Sequence, residues 1–320
     1  VTATQHLQKS SDTPANITVI TAKQIREWGI HDINEALRLV PGVNVYQSYY
    51  GYKHLNFRGV QQDLYTNKVL VLVNGHPSYD SLFGDSRTSY IPIESIEQVE
   101  VIRGPGSVLY GTNAMAGVVN IITKQAGGSK GGVTARSGSD DYQYIEGQYL
   151  GENFTVAVSS RDDDGYHYAG TYDEQNPAQI VDRELFHDLK NIFFDVYGDS
   201  WRLNFAAFDE QQAKFGTTPV TYSGGYHDNQ GYYFDLSKSF DVLDGQLKFW
   251  LRYDNLDMSF YSDAFPCPPG AGDFNPALGG CQPNTIGSFD DPYKHYTEAE
   301  RTTFEVQFKK QVSKDLDYIV

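Results

Sequence analysis

From about Gly131 onward the chain keeps a period of two, and this alternation limits its fold more than any other feature. Leu247, Phe249, Leu251 and Tyr253 alternate with Lys248, Trp250, Arg252 and Asp254, and Phe304, Val306 and Phe308 with Glu305, Gln307 and Lys309. Ile192, Phe194 and Val196 alternate with Asn191, Phe193 and Asp195; Trp201, Leu203 and Phe205 do so with Arg202, Asn204 and Ala206. Successive side chains of a strand point to opposite faces, so each segment has an apolar, aromatic face and a polar one. A soluble β-sandwich suits this pattern poorly, because charge at every second residue would fill its core. A membrane β-barrel suits it well, with one face toward lipid and the other toward the lumen.

Connection lengths sharpen the reading. Leu150-Gly151-Glu152-Asn153, Gly198-Asp199-Ser200, Leu243-Asp244-Gly245 and Ser313-Lys314-Asp315 are short turns, with long connections between them at about 162–186, 210–229 and 261–299. Regular alternation puts the long connections at one end, as in an outer-membrane barrel with short periplasmic turns and long extracellular loops. About nine strands are expected, and the last, Leu316 to Val320, stops mid-pattern. An open edge in lipid leaves backbone groups unsatisfied at a cost of several kcal/mol each, so the wall is expected to continue past Val320.

Composition removes other classes. The 320 residues leave room for about two domains. A net charge of −16 argues against nucleic acid, which needs clustered cations. No apolar run approaches the ~20 residues of a spanning helix, a limit that does not bind strands. The 24 Tyr, 18 Phe and 30 Gly suit aromatic girdles and tight turns. Cys267 and Cys281 lie close together in a Pro/Gly-rich stretch and read as a disulfide in an oxidising compartment. A metal site is the alternative, though no His stands beside them at ligand spacing. No signal peptide is seen, so the chain is mature or cytosolic, and the cysteines favour mature and exported.

Residues 1 to about 125 follow another grammar. Thr21 and Gln24 have capping-box spacing and open a short helix that ends near Gly29; Asp32 and Glu35 repeat the device. Ile33, Ala36, Leu37 and Val40 mark one apolar helical face, which Pro41-Gly42 ends. Apolar runs at Val69–Val73, Val99–Ile102 and Val118–Ile122 read as strands of a small buried sheet, giving a compact α+β domain. The Gly-rich Arg103–Ser107 turn lacks the Lys-Ser/Thr of a phosphate-binding loop, and no helix is expected after it. No pair of carboxylates stands out for hydrolysis, so an enzyme is not expected.

The segment Val99-Glu100-Val101-Ile102-Arg103-Gly104-Pro105-Gly106-Ser107-Val108-Leu109-Tyr110-Gly111, with Ala116-Gly117-Val118-Val119-Asn120-Ile121-Ile122-Thr123, closely resembles the plug signature of TonB-dependent outer-membrane receptors. Four further motifs match in the family order: Ile17-Thr18-Val19-Ile20-Thr21, Leu37-Arg38-Leu39-Val40-Pro41-Gly42-Val43, Phe57-Arg58-Gly59 and Val71-Leu72-Val73-Asn74-Gly75. Asn74 stands where the family usually has Asp. The resemblance implies an α+β plug domain (1–128) inside a transmembrane antiparallel β-barrel of 22 strands, of which 129–320 supply the first nine or so. It further implies the bacterial outer membrane, TonB with its inner-membrane complex as partner, and uptake of a small metal chelate. A ferric siderophore comes first on the breadth of the family, with haem or cobalamin as alternatives. A passive or signalling barrel is the rival from another class. Val1-Thr2-Ala3 looks like the tail of a TonB box, with a frayed terminus as the plain alternative. Arg58 and Arg103 fall where the family has paired plug arginines that meet barrel glutamates.

By the same analogy the outward plug loops lie near 46–55 and 78–90. Their ligand candidates are Tyr49, Tyr50, Tyr52 and His54 in the first, and Tyr79, Asp80 and Phe83 in the second. Tyrosines offer stiff amphipathic area at low entropy cost. His167, His187, His227 and His295 lie in or beside the long connections; His167, His227 and His295 are the metal-ligand candidates, although solvated loop histidines are the commoner case. Asp162-Asp163-Asp164 offers oxygens to Ca²⁺ but lacks EF-hand spacing. No resident cofactor is expected. The acidic balance suits neutral cobalamin better than an anionic ferric complex.

Overall fold

A computed structural model describes residues 16–48, 51–60, 65–88, 90–125, 127–172, 180–213, 226–262, 273–275, 280–282, 293–313 and 316–319. The first part contains β1 (Ile17–Thr21), α1 (Ala22–Glu27), α2 (Ile33–Arg38), β2 (Val43–Gln47), β3 (Lys53–Phe57), β4 (Val69–Val73), β5 (His76–Pro77), β6 (Ile96–Arg103), α3 (Ser107–Tyr110) and β7 (Gly117–Thr123). Five strands form one sheet in the order β1-β6-β7-β4-β5, while β2 and β3 pair as a separate hairpin. Thr21 and Gln24 complete the expected capping box on α1. At α2 the device differs: Asp32 accepts the Asn34 N–H at 2.7 Å, but Glu35 reaches past the cap to the His31 N–H at 2.8 Å. The face Ile33, Ala36, Leu37 and Val40 is buried against Val69, Val71, Val99 and Val119 of the sheet.

Two local features carry the sheet. Asn74 (φ 51) and Gly75 (φ 87) close the β4–β5 hairpin in the left-handed conformation that a two-residue primed turn requires. The Asn74 amide donates to Thr123 Oγ1 at 2.8 Å and accepts the Thr123 N–H at 3.0 Å. A carboxylate could only accept, which gives the Asn at this position a physical reason. Gly117 starts β7 where a Cβ would lie 2.3 Å from the Phe57 ring and 2.5 Å from the Ile102 carbonyl, so no larger residue fits. Contrary to expectation, one helical turn (α3) does follow Gly104-Pro105-Gly106; the Tyr110 N–H bonds the Gly106 carbonyl at 2.9 Å.

The second part builds a wall from β8 (Lys130–Ser137), β9 (Gln143–Leu150), β10 (Phe154–Asp162), β13 (His187–Tyr197), β14 (Trp201–Ala213), β15 (Tyr226–Val242), β16 (Gly245–Ser262), β19 (Tyr293–Ser313) and β20 (Leu316–Ile319). These nine strands are antiparallel neighbours in one open sheet. The connections carry two hairpins, β11 (His167–Tyr172) with β12 (Ile180–Glu184), and β17 (Asp273–Asn275) with β18 (Gly280–Gln282).

Register sorts the side chains. Phe154, Val196, Leu203, Leu236, Leu251 and Phe304 pair in succession across six strands, making one continuous apolar row on the outward face. Toward the outer end the row Lys190, Asp209, Gln230, Asp257 and Glu298 is the first on that face to be polar throughout, and marks where lipid gives way to water. The opposite parity faces the plug, with Asp195, Asn204, Asp235 and Arg252 paired in sequence and buried.

The strands outrun the sequence reading. Parts of the connections expected at 210–229 and 261–299 are strand, because β14, β15, β16 and β19 continue four or five residues beyond the polar row. Above the lipid both faces meet water or the polar plug apex, so the apolar half of the alternation disappears while pairing persists. β15, β16 and β19 have 17, 18 and 21 residues, against the ~9–11 needed to cross a bilayer.

The plug sits inside this wall. Ala157, Phe193, Ala206 and Tyr233 of the wall belong to the same apolar cluster as the plug sheet, and Tyr90 stacks on Phe208 at 4.8 Å. If Leu236 faces lipid, Leu236→Arg should cost about 2–4 kcal/mol. It should deplete heat-modifiable, folded receptor from the outer membrane, whereas Gln230→Arg on the same face should not. Equal tolerance of both would contradict the assigned belt.

Candidate functional site

The plug apex is built by two loops. The β2–β3 hairpin turns at Gly51 (φ 88), whose carbonyl accepts from Gln47 Nε2 and from Gln212 Nε2 of β14, both at 2.8 Å. A Cβ there would lie 2.4 Å from the Ala213 carbonyl, so the hairpin tip meets the outer end of β14 backbone to backbone. Tyr52 donates its hydroxyl to Asn229 Oδ1 at 3.2 Å and packs its ring on His227 at 4.5 Å. Burial pushes the Tyr52 phenol up to about 12, leaving it a neutral donor. His54 is fully buried, with Ser48 Oγ and Thr66 Oγ1 at 3.0 and 3.4 Å from its ring nitrogens.

The second loop folds around Asp80, whose carboxylate accepts the N–H groups of Leu82 (3.0 Å), Phe83 (2.6 Å) and Asp85 (3.2 Å). Burial raises the Asp80 carboxyl above its ordinary value. Tyr79 lies beneath the Arg301 guanidinium of β19 at 4.0 Å. Phe83 is exposed and stacks flat on Tyr65 at 4.7 Å and 7°.

Arg87 joins these parts, and the sequence reading missed it. Its guanidinium lies 4.7 Å over the Tyr52 ring, 3.8 Å from Glu210 Oε2 and 3.2 Å from the Met258 sulfur. Burial works against its charge, but Tyr52, Asp85, Asp80 and Glu210 outweigh that and hold the guanidinium above its ordinary value. A lone cation just after Asp80 and Asp85, between Tyr79 and Tyr90 in an acidic chain, was the available signal. Other charges at the apex are matched in the same way. Lys53 Nζ is 2.5 Å from Asp32, Arg161 of β10 lies 3.8 Å from the same carboxylate, and Arg161 pairs also with Asp163.

The remaining candidates separate clearly. Tyr49, Tyr50, Val1, Thr2, Ala3 and Cys267 lie outside the described residues, and the Cys267–Cys281 pairing with them. Cys281 falls in β18, His167 in β11 and His295 in β19. Register puts His187, Gln212, His227, Phe260 and His295 on one row. Among the described residues no group of three His, Cys, Asp or Glu side chains is placed to hold a metal. Asp163 is engaged by Arg161 and by the Gly165 N–H at 2.9 Å. Arg103 donates to the Pro41 carbonyl at 2.9 Å and to Asn16 within the plug, and Arg58 is exposed with φ 51. Among the described residues neither has an ion pair with the wall.

An α+β globule lodged against the inner face of an antiparallel wall defines an outer-membrane receptor with a plug. Residues 9–118 match the TonB-dependent Receptor Plug Domain. Over 246 residues the chain is 30% identical to the vitamin B12 transporter BtuB of Vibrio vulnificus, covering 70% of this chain and 39% of that protein. Over 215 residues it is 31% identical to BtuB of Photobacterium profundum, covering 65% and 34%. In fold it is similar to a point mutant of the ferric enterobactin receptor PfeA of Pseudomonas aeruginosa. That match has a TM-score of 0.61 and 19% identity over 97% of this chain and 48% of the other. The chain belongs to the TonB-dependent receptors of the bacterial outer membrane, a family of transporters and receptors, and spans less than half the length of these curated relatives.

Asp32 offers a direct test of the apical ion pairs. Burial alone would raise its carboxyl, yet Lys53 and Arg161 together hold it well below the usual carboxylate range. Its folded value lies below its unfolded one, so its contribution to stability is complete above the ordinary value of about 3.9 and is lost as the pH falls below it. Asp32→Asn keeps a good N-cap and removes only the charge. It should lower stability at neutral pH by about 1–3 kcal/mol, with the gap to wild type in thermal unfolding closing on acidification. A gap unchanged by pH would show that the clasp is not ionic.

Proposed function

We propose that this receptor carries out TonB-dependent active uptake of a bulky metal chelate across the outer membrane, and that a corrinoid of the cobalamin type is the cargo to test first. The observation that carries the choice is the charge balance of the apex. Arg87, Lys53, Arg161 and Arg301 each lie against carboxylates. An apex whose described cations are already engaged by carboxylates presents a ligand with a surface of little free positive charge. Such a surface suits a neutral, amide-rich molecule better than a multiply charged anion, and relatives at 30–31% identity are vitamin B12 transporters.

A ferric siderophore is the second reading, favoured by the flat, exposed Tyr65–Phe83 stack, which suits an aryl group. Haem is the third. In each case the ligand must prefer one plug state over another by a finite free energy, typically about 1–3 kcal/mol. Pairing of a segment near Val1-Thr2-Ala3 with TonB as an added strand completes the proposal, as does a role for Arg58 and Arg103 in seating the plug.

Titration calorimetry of the intact, detergent-purified receptor against cyanocobalamin, ferric siderophores and haem decides the cargo; binding of cyanocobalamin alone is expected. In cells, loss of TonB or of the proton-motive force should abolish uptake and leave surface binding unchanged. Uptake that survives either loss would mark a passive barrel.

A further inference from the structure

The outward face of the wall changes sign along its height. Its rim carries Asp209, Asp257 and Glu298, with Lys190 paired in register to Asp209. Lower down, between the row of Leu203, Leu236, Leu251 and Phe304 and the row of Phe240, Leu247 and Phe308, stands a single cation, Lys238 of β15. Register sets it between Trp201 of β14 and Phe249 of β16, and Phe249 meets Val306 of β19. Over these three rows the described outward side chains include no carboxylate. Lys238 is exposed, so an ammonium lies on a face that is otherwise apolar and turned to lipid.

Its side chain runs toward the periplasmic end. The Nζ lies 5.2 Å from the centre of the Phe240 ring, the next outward residue down the strand, and Phe240 meets Phe249 edge-on at 5.8 Å and 83°. Trp201 leans the same way, over the β13–β14 turn, where a Cβ on Gly198 would lie 2.3 Å from the indole Nε1. Depth accounts for the direction. A strand tilted by about 40° gains ~2.5 Å of height per residue, so an apolar band of about 25 Å that begins at Gln230 ends near residue 240. The backbone of Lys238 therefore lies roughly 5 Å inside the hydrocarbon, a depth that a lysine stem spans when its head reaches for the interface. The Phe240 ring shields the ammonium on one side, but a ring face is no substitute for an anion. Among the described residues no carboxylate pairs with Lys238.

We propose that Lys238 holds the phosphate of an anionic phospholipid of the periplasmic leaflet, forming a fixed lipid site on the wall. An ammonium at the edge of hydrocarbon needs a counter-charge, and the wall supplies none at this height. The headgroup phosphate is the anion that lies where the side chain ends. Trp201, Phe240 and Phe249 are exposed around it and offer the acyl chains of the same lipid a ring-lined bed, with the indole at headgroup level. A zwitterionic lipid carries its own ammonium, which competes with Lys238 for its phosphate, so an anionic headgroup is preferred. The outer rim gives no such site, because Asp209 stands directly across from Lys190. The inference depends on which face of the wall meets lipid and is independent of the cargo.

Native mass spectrometry of the intact receptor tests the site. The receptor is released from detergent micelles holding dioleoylphosphatidylglycerol or dioleoylphosphatidylcholine, and the lipid it retains is counted. Wild type should retain phosphatidylglycerol in preference to phosphatidylcholine. Lys238→Met, which leaves an apolar chain in hydrocarbon and so preserves folding, should weaken phosphatidylglycerol binding about fivefold, the contribution of one basic residue beside an anionic headgroup. Lys238→Arg should restore it, and Lys190→Met at the rim should leave it unchanged. Equal retention by wild type and Lys238→Met, an equal loss in Lys190→Met, or no recovery in Lys238→Arg would each overturn the site. A receptor dimer that separates into monomers on Lys238→Met would put a second copy against the ammonium instead, and would overturn it too.

Discussion

Hydrocarbon offers no hydrogen-bond partner to a peptide group, and the wall of this receptor follows from that. Every strand in it must pair along its length, and pairing fixes register. Register then aligns Phe154, Val196, Leu203, Leu236, Leu251 and Phe304 as one apolar row, because a slip of one residue on any strand would turn charge into lipid. The same parity delivers Asp195, Asn204, Asp235 and Arg252 to the inside. The plug thus finds a polar lining that already exists for reasons of membrane physics, and fills it with its own charges and aromatics.

Contact between the two parts combines broad apolar packing with a few matched ionic clasps. Asp32 is both the cap of α2 and the partner of Lys53 and Arg161, so a helix terminus of the plug and the outer end of β10 share one carboxylate. Arg87 occupies a similar position between the two apical loops, β14 and β16. Groups that answer to two elements at once tie the plug to the wall.

Much of this was legible in the sequence, for stated reasons. The alternation of Leu247–Asp254 and Phe304–Lys309 revealed two-faced strands because lipid enforces it, and the apolar runs of the plug revealed its central sheet because both faces are buried. Strand length was not legible. Beyond Gln230 or Asp257 no lipid selects for apolar side chains, so a paired strand and a polar loop have the same composition there. The candidate site was legible only by position. Tyr52 and Tyr79 were found as aromatics in outward loops, but nothing local announced that they would lie against Asn229 and Arg301, some 180 to 220 residues away in sequence. His54 and Asp80 drew notice as polar loop residues, and in the fold they serve the loops themselves. Arg87 escaped because its partners come from four separate elements.

The height of each charged group relative to the lipid slab has a further consequence. Glu210, Asn229 and Met258 stand one step above the rim row of Asp209, Gln230 and Asp257, so the surroundings of Arg87 are backed by water through a single thickness of sheet. His76, Asp235 and Arg252 stand level with Leu236 and Leu251, and are backed by hydrocarbon. Coulombic attraction strengthens as the effective dielectric falls, so a pair of given geometry holds more firmly at mid-membrane than at the rim. Ion pairs are thereby graded along the axis, weaker at the rim and stronger level with the hydrocarbon, without any change in the kinds of side chain employed.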